Sequence, residues 1–139
     1  MKDQEKNVLR MPEELIIDMN EHLPGNLTIE DIQRLCRGKA FKVWVICNDA
    51  LMNTDVADML DLSVRSSNAL KRAGYRTVGD LVDKVDSFDS LEKIRNCGAK
   101  SRAEIMGRLF FYQYSLIPKE RRTAYMNKIM EINGVKYNK

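Results

Sequence analysis

Cysteine is scarce in this sequence of 139 residues: Cys36, Cys47 and Cys97 are all there are. Three widely separated thiols with no Cys-x-x-Cys give neither a disulfide framework nor a zinc knuckle. Reduced thiols in a cytoplasmic protein are expected instead. Histidine is scarcer still, with His22 alone, and a surface place is expected for it. Asp83, Asp86 and Asp89 form a carboxylate run, but without glycine at calcium-loop spacing. No metal site is therefore expected. No nucleophile–base pair and no phosphate-loop motif is present, so neither an enzyme nor a cofactor is expected. Long apolar runs are missing too. The longest, Val43 to Cys47, is far short of the roughly 20 residues of a membrane span. The opening Met-Lys-Asp-Gln-Glu-Lys-Asn lacks the apolar run of a signal peptide.

What is present suits a folded protein. Hydrophobic residues make up 44% and charged residues 31%, with both signs mixed, so a real core is expected rather than general disorder. The length suits one domain with extensions. Net charge is only +3, but it is unevenly spread. Residues 1–57 hold 7 basic and 10 acidic side chains, residues 58–117 hold 10 and 8, and residues 118–139 hold 6 and 2. Positive charge gathers toward the C-terminus, which hints at an anionic partner.

The pattern predicts short helices. Pro12 with Glu13 and Glu14 opens one, with Leu15, Ile16, Met19 and Leu23 on a face and Pro24-Gly25 at its end. Thr28 with Asp31 is a variant capping box before Ile29, Ile32, Leu35 and Cys36. Ala40 to Met52 fits either a strand or a helix. Helix is favoured, because no second strand is available to satisfy a lone one. Thr54 and Asp55 suit the start of a short turn through Leu60. Ser63 suits the cap of a helix from Val64 to about Ala73, closed by Gly74. Thr77 and Asp80 open the next, over Val78 to Lys84. Ser87 or Asp89 begins a third, ending near Arg95. A fourth runs from about Lys100 to Tyr112, burying Ile105, Met106, Leu109 and Phe110. Pro118 opens the last, with Tyr125, Ile129 and Ile132 on one face and Asn133-Gly134 at its end. Phe41 and Trp44 are read as core.

Two loops carry the functional signal. Asn96-Cys97-Gly98-Ala99-Lys100-Ser101 is a glycine turn into a helix start. Gly98 has no Cβ to keep a phosphate away, the following amides point out of the helix, and Lys100 and Ser101 add a charge and a hydroxyl. Leu62-Ser63-Val64-Arg65-Ser66-Ser67-Asn68 is the other. Arg65 and Asn68, three apart, share a helix face. Either loop alone reads as an ordinary capped helix start.

Together, in order, they resemble the C-terminal domain of the bacterial RNA polymerase alpha subunit. The matching run is Leu62 to Gly74, then Thr77-Val78-Gly79-Asp80-Leu81-Val82, then Ile94 to Ser101 with Glu104-Ile105 after it. Cys97 stands where that family usually has leucine, and the stretch near Asp86 to Ser90 is slightly longer than usual. The resemblance implies an all-α compact bundle of short helices with helix–hairpin–helix geometry, and here an N-terminal helical extension. It implies a DNA-binding module over residues 58–117, flanked by an extension over 1–57 and a basic helix and tail over 118–139. The large assembly domain has no counterpart in this sequence, so a free-standing protein is expected.

The resemblance further implies binding to the minor groove of A·T-rich double-stranded DNA in a transcription-related, nucleoid-associated role. Arg65 would enter the groove, and Asn68, Gly98, Lys100 and Ser101 would hold the backbone. RNA polymerase, sigma factor or an activator are the protein partners it implies. The alternatives are a protein-interaction module for those same partners and a DNA-processing accessory protein. The basic residues Lys119, Arg121, Arg122 and Lys128 suit a solvated face, or else an extension of the DNA footprint.

Overall fold

A computed structural model describes residues 13–38, 41–45, 52–56, 60, 62–84 and 98–136. The elements are α1 (Glu13–His22), α2 (Ile29–Cys36), α3 (Val64–Arg72), α4 (Val78–Lys84), α5 (Ala99–Leu116), a 3-10 turn (Lys119–Arg121) and α6 (Arg122–Ile132). Among the described residues no strand is formed, and an isolated antiparallel bridge joins Asp55 to Thr77. The all-α class holds. The helix expected between Ser87 and Arg95 lies outside the described residues, as do Pro12, Asn96, Cys97 and residues 57–59 of the expected turn through Leu60.

Local rules place most helix ends. Thr28 and Asp31 form a full reciprocal capping box, the Asp31 amide donating to Thr28 Oγ1 (3.3 Å) and the Thr28 amide to Asp31 Oδ2 (2.9 Å). Thr77 and Asp80 repeat it at α4, at 3.0 and 3.1 Å, and the Arg76 amide also donates to Asp80. At the end of α3, Gly74 takes φ +86°, and the Tyr75 amide donates back to the Leu70 carbonyl at 2.9 Å. This left-handed closure is open to glycine without steric cost.

The core is one cluster drawn from all parts of the sequence. Met19, Ile29, Ile32, Cys36 and Phe41 pack with Leu70, Ile105, Met106, Leu109, Phe110, Tyr114, Tyr125, Met126 and Ile129. Helix α5 runs through its middle, and most of its residues are buried. It extends to Leu116, beyond the expected Tyr112, because Tyr114 is itself core. Among the described residues no helix is long and apolar enough to cross a membrane.

Two expectations about one segment need correction. Phe41–Val45 is not helical. An extended segment is tolerated here because side chains satisfy its backbone. Asn133 pairs with Lys42 like a neighbouring strand, accepting from its amide at 2.8 Å and donating to its carbonyl at 2.9 Å. The Tyr125 hydroxyl donates to the Trp44 carbonyl at 2.7 Å. Phe41 is core as expected, but Trp44 is 41% exposed, stacked on Tyr125 with Lys128 near its ring.

His22 and Arg122 also differ from expectation. Both sit in a part-buried polar cluster joining α1 to α5 and α6. Asp18 accepts from the Tyr114 hydroxyl (2.7 Å) and from the Arg122 guanidinium (2.6 Å). His22 Nδ1 lies 2.8 Å from the Asp18 carbonyl and 3.7 Å from its carboxylate. Arg122 also donates to the Ile117 carbonyl and lies over the Tyr114 ring. It is a structural arginine, not part of a solvated face. Burial pushes the Asp18 carboxyl up, but the Tyr114 and Arg122 bonds outweigh it and hold the group below its ordinary value.

Candidate nucleic-acid interface

The start of α3 follows from Ser63. Its backbone is extended, its side chain accepts from the Ser66 amide at 3.3 Å, and its carbonyl accepts from the Ser67 amide. Helix α3 then carries Arg65, Lys71 and Arg72 and no acidic residue. Ser66, Ala69 and Leu70 face the core, which turns Arg65 and Asn68 outward, and both are exposed. Val64 beside them is 76% exposed.

The start of α5 is built differently. Gly98 is its N-cap, with extended backbone and no side chain to bond the first-turn amides. Those amides have no carbonyl one turn earlier to accept from them. A Cβ built on Gly98 would meet nothing within 4 Å, and φ of −76° suits any residue. Neither packing nor backbone conformation requires glycine there. Gly98 itself places no side chain over the first-turn amides. Lys100 is exposed beside it, and the first turn holds no acid.

Glu104 brings the two helix starts together. It is buried, 8% exposed, and its carboxylate accepts three hydrogen bonds from the start of α3. The Ser63 amide donates at 2.9 Å and the Ser63 hydroxyl at 2.7 Å. The Ser66 hydroxyl donates to the same carboxylate. Glu104 is five residues after Ala99, about 7.5 Å along the α5 axis at 1.5 Å per residue. The start of α3 is thus pinned within about one and a half turns of the start of α5. The outcome is one exposed surface with two helix N-termini, each positive by its dipole, and with Arg65 and Lys100 adding full charges.

Of the five residues singled out from sequence, Arg65, Asn68, Gly98 and Lys100 are exposed on these two helix starts. Ser101 is not: it is 4% exposed and packs inward in the first turn of α5. Sequence reasoning missed Glu104. A glutamate in the second turn of a helix looks like any surface acid. The signal lay in its being the sole acid in an 18-residue helix that also carries Lys100, Arg102 and Arg108.

Residues 48–110 match the family model described as the C-terminal domain of the bacterial RNA polymerase alpha chain. The DNA-directed RNA polymerase subunit alpha of Carboxydothermus hydrogenoformans is 52% identical over 50 residues, covering 36% of this protein and 15% of that one. The same subunit from Symbiobacterium thermophilum is 49% identical over 57 residues, covering 41% of this protein and 18% of that one. The match thus spans less than a fifth of the length of either relative. No solved structure matches.

Proposed function

We propose that this protein is a non-enzymatic, transcription-related DNA-binding protein that contacts the minor groove and phosphate backbone of A·T-rich duplexes. The observation that carries the reading is the Glu104 clamp, which sets two cationic helix starts on one exposed surface. Arg65 enters the groove, where a narrow A-tract concentrates negative potential and favours a guanidinium without a base code. Asn68 and Lys100 hold phosphates on either side, and the amides after Gly98 receive another, which approaches over the missing Cβ. Ser101, packed inward, contributes through the first turn it belongs to rather than as an exposed hydroxyl. The role places the protein with DNA in the cytoplasm, and the matched polymerase subunits point to polymerase, sigma factor or an activator as protein partners beside that DNA.

The test is a salt series with A·T-rich and G·C-rich duplexes. Each phosphate neutralised adds about 0.9 to the slope of log affinity against log salt. Lys100→Ala should flatten the slope by about that much. Arg65→Ala should remove most of the preference for A·T-rich DNA. Equal binding of both duplexes by the wild type, or affinity unchanged in both variants, would defeat the reading.

A further inference from the structure

The C-terminal end of α5 lies far from the two helix starts, Leu116 being about 25 Å along the axis from Ala99 at 1.5 Å per residue. An exposed apolar patch sits there between opposite charges. Ile17 is 57% exposed and Leu116 48%, and both border one ion pair. Arg122 donates to Asp18, next to Ile17, and to the carbonyls of Ser115 and Ile117, on either side of Leu116. On α1 the positions three and four residues from Ile17 are Glu13, Glu14, Asn20 and Glu21, and all four are exposed. Glu13 and Glu14 suit the positive end of α1, but Glu21 in its last turn does not. On the other flank Lys119 and Arg121 are exposed in the 3-10 turn after Leu116, with Glu120 between them. Among the described residues Glu13, Glu14, Glu21, Lys119 and Arg121 are held in no ion pair.

We propose that this patch binds a second copy of the chain across a two-fold axis. A patch that is acidic on one side of its apolar centre and basic on the other is self-complementary. Half a turn sets α1 of each copy against the 3-10 turn of the other. Every acid–base contact is then made twice, and Ile17 and Leu116 of both copies are covered together near the axis. Within one copy the carboxylates around Ile17 repel one another, and the bases of the other copy relieve that repulsion. A partner with a single sign of charge, such as DNA or a basic peptide, meets repulsion on one flank, so a second copy is the better occupant. Exposed charge pairs contribute little each. Two apolar anchors per copy are also few for a standard interface of about 800 Å² per partner. The dimer is therefore weak and sensitive to concentration and salt. Its place at the far end of α5 leaves both pairs of helix starts uncovered.

The experiment is sedimentation equilibrium of the full-length chain over a concentration and salt series. The wild type should show a monomer–dimer equilibrium that moves to monomer near 1 M salt, where the screening length falls to about 3 Å. One double variant combines Glu13→Lys with Glu14→Lys, and another combines Lys119→Glu with Arg121→Glu. Each should weaken dimerisation at least about tenfold, because like charges then face each other and the axis doubles every change. An equimolar mixture of the two should dimerise again, since both flanks of the mixed pair then meet opposite charge. A folding defect gives no such recovery. Ile17→Asn, at an exposed position, should weaken the dimer without affecting the monomer's fold by circular dichroism. A wild type that stays monomeric up to about 1 mM, a double variant that dimerises as the wild type does, or a mixture no more associated than its components would overturn the assignment.

Discussion

Removing the Glu104 carboxylate tests whether the DNA-facing surface depends on a buried clamp. Glu104→Ala leaves the Ser63 amide and two hydroxyls without their acceptor. Hydrogen bonds to a charged group contribute about 1.5–3 kcal/mol each. They share one carboxylate here, and the hydroxyls can turn to other partners, so their losses do not add. The Ser63 hydroxyl also remains bonded to the Ser66 amide. A net cost of about 3 kcal/mol is expected, which for a protein of this length lowers the melting temperature by about 10 °C. Glu104→Gln keeps the shape and one acceptor oxygen, and should cost about half as much. Thermal unfolding followed by circular dichroism measures both. DNA affinity should fall in both variants below their melting temperatures, because the start of α3 that carries Arg65 is no longer held. The reasoning fails if Glu104→Ala melts within a degree or two of wild type, or if DNA affinity is unchanged in a folded variant.

Three further outcomes follow from other contacts. Gly79→Ala should destabilise by about 1–3 kcal/mol, since a Cβ there would sit 2.7 Å from the Met52 carbonyl oxygen; denaturant midpoints test this. Gly98→Ala should fold with stability within about 1 kcal/mol of wild type, as alanine caps a helix less well than glycine but restricts the unfolded state. It should nonetheless lose DNA affinity in a binding titration. Asp18 has a lowered folded-state pKa, so its contribution is present above the unfolded value near 3.9 and is lost as pH falls through the folded value. Asp18→Asn should therefore flatten the acid limb of stability below about pH 4, while costing up to about 3 kcal/mol at neutral pH because Arg122 loses its partner.

The fold was legible where its causes are local. Thr28 with Asp31 and Thr77 with Asp80 lie three residues apart, so a helix start is written in four consecutive positions. Gly74 and Gly134, at φ +86° and +68°, end their helices for the same short-range reason. The misreadings came from distance in sequence. Phe41–Val45 turned on which strand might pair with it, and much of the answer is the Asn133 side chain, 91 residues from Lys42. Arg122 resembles its basic neighbours until folding places it against Asp18, 104 residues away. No periodicity carries such information, because a polar group's burial is decided by what folds over it.

The same division runs through the candidate interface. Arg65, Asn68, Gly98 and Lys100 were legible because each belongs to a helix start, and helix starts announce themselves by caps and glycine. What makes two starts into one surface was not legible, because it is Glu104, 41 residues from Ser63 and 38 from Ser66. The clamp also explains why Ser66 is serine in the core: the residue is fully buried, and its hydroxyl bond to the Glu104 carboxylate on α5 compensates for that burial. A negative charge so close to the proposed DNA-binding surface would oppose phosphate if it faced outward. Turned inward and covered by three donors, it instead fixes the cations that face out. Segment length between the two loops therefore matters less than the register of the Ser63–Glu104 contact. Changes there should alter DNA affinity only when they shift that contact.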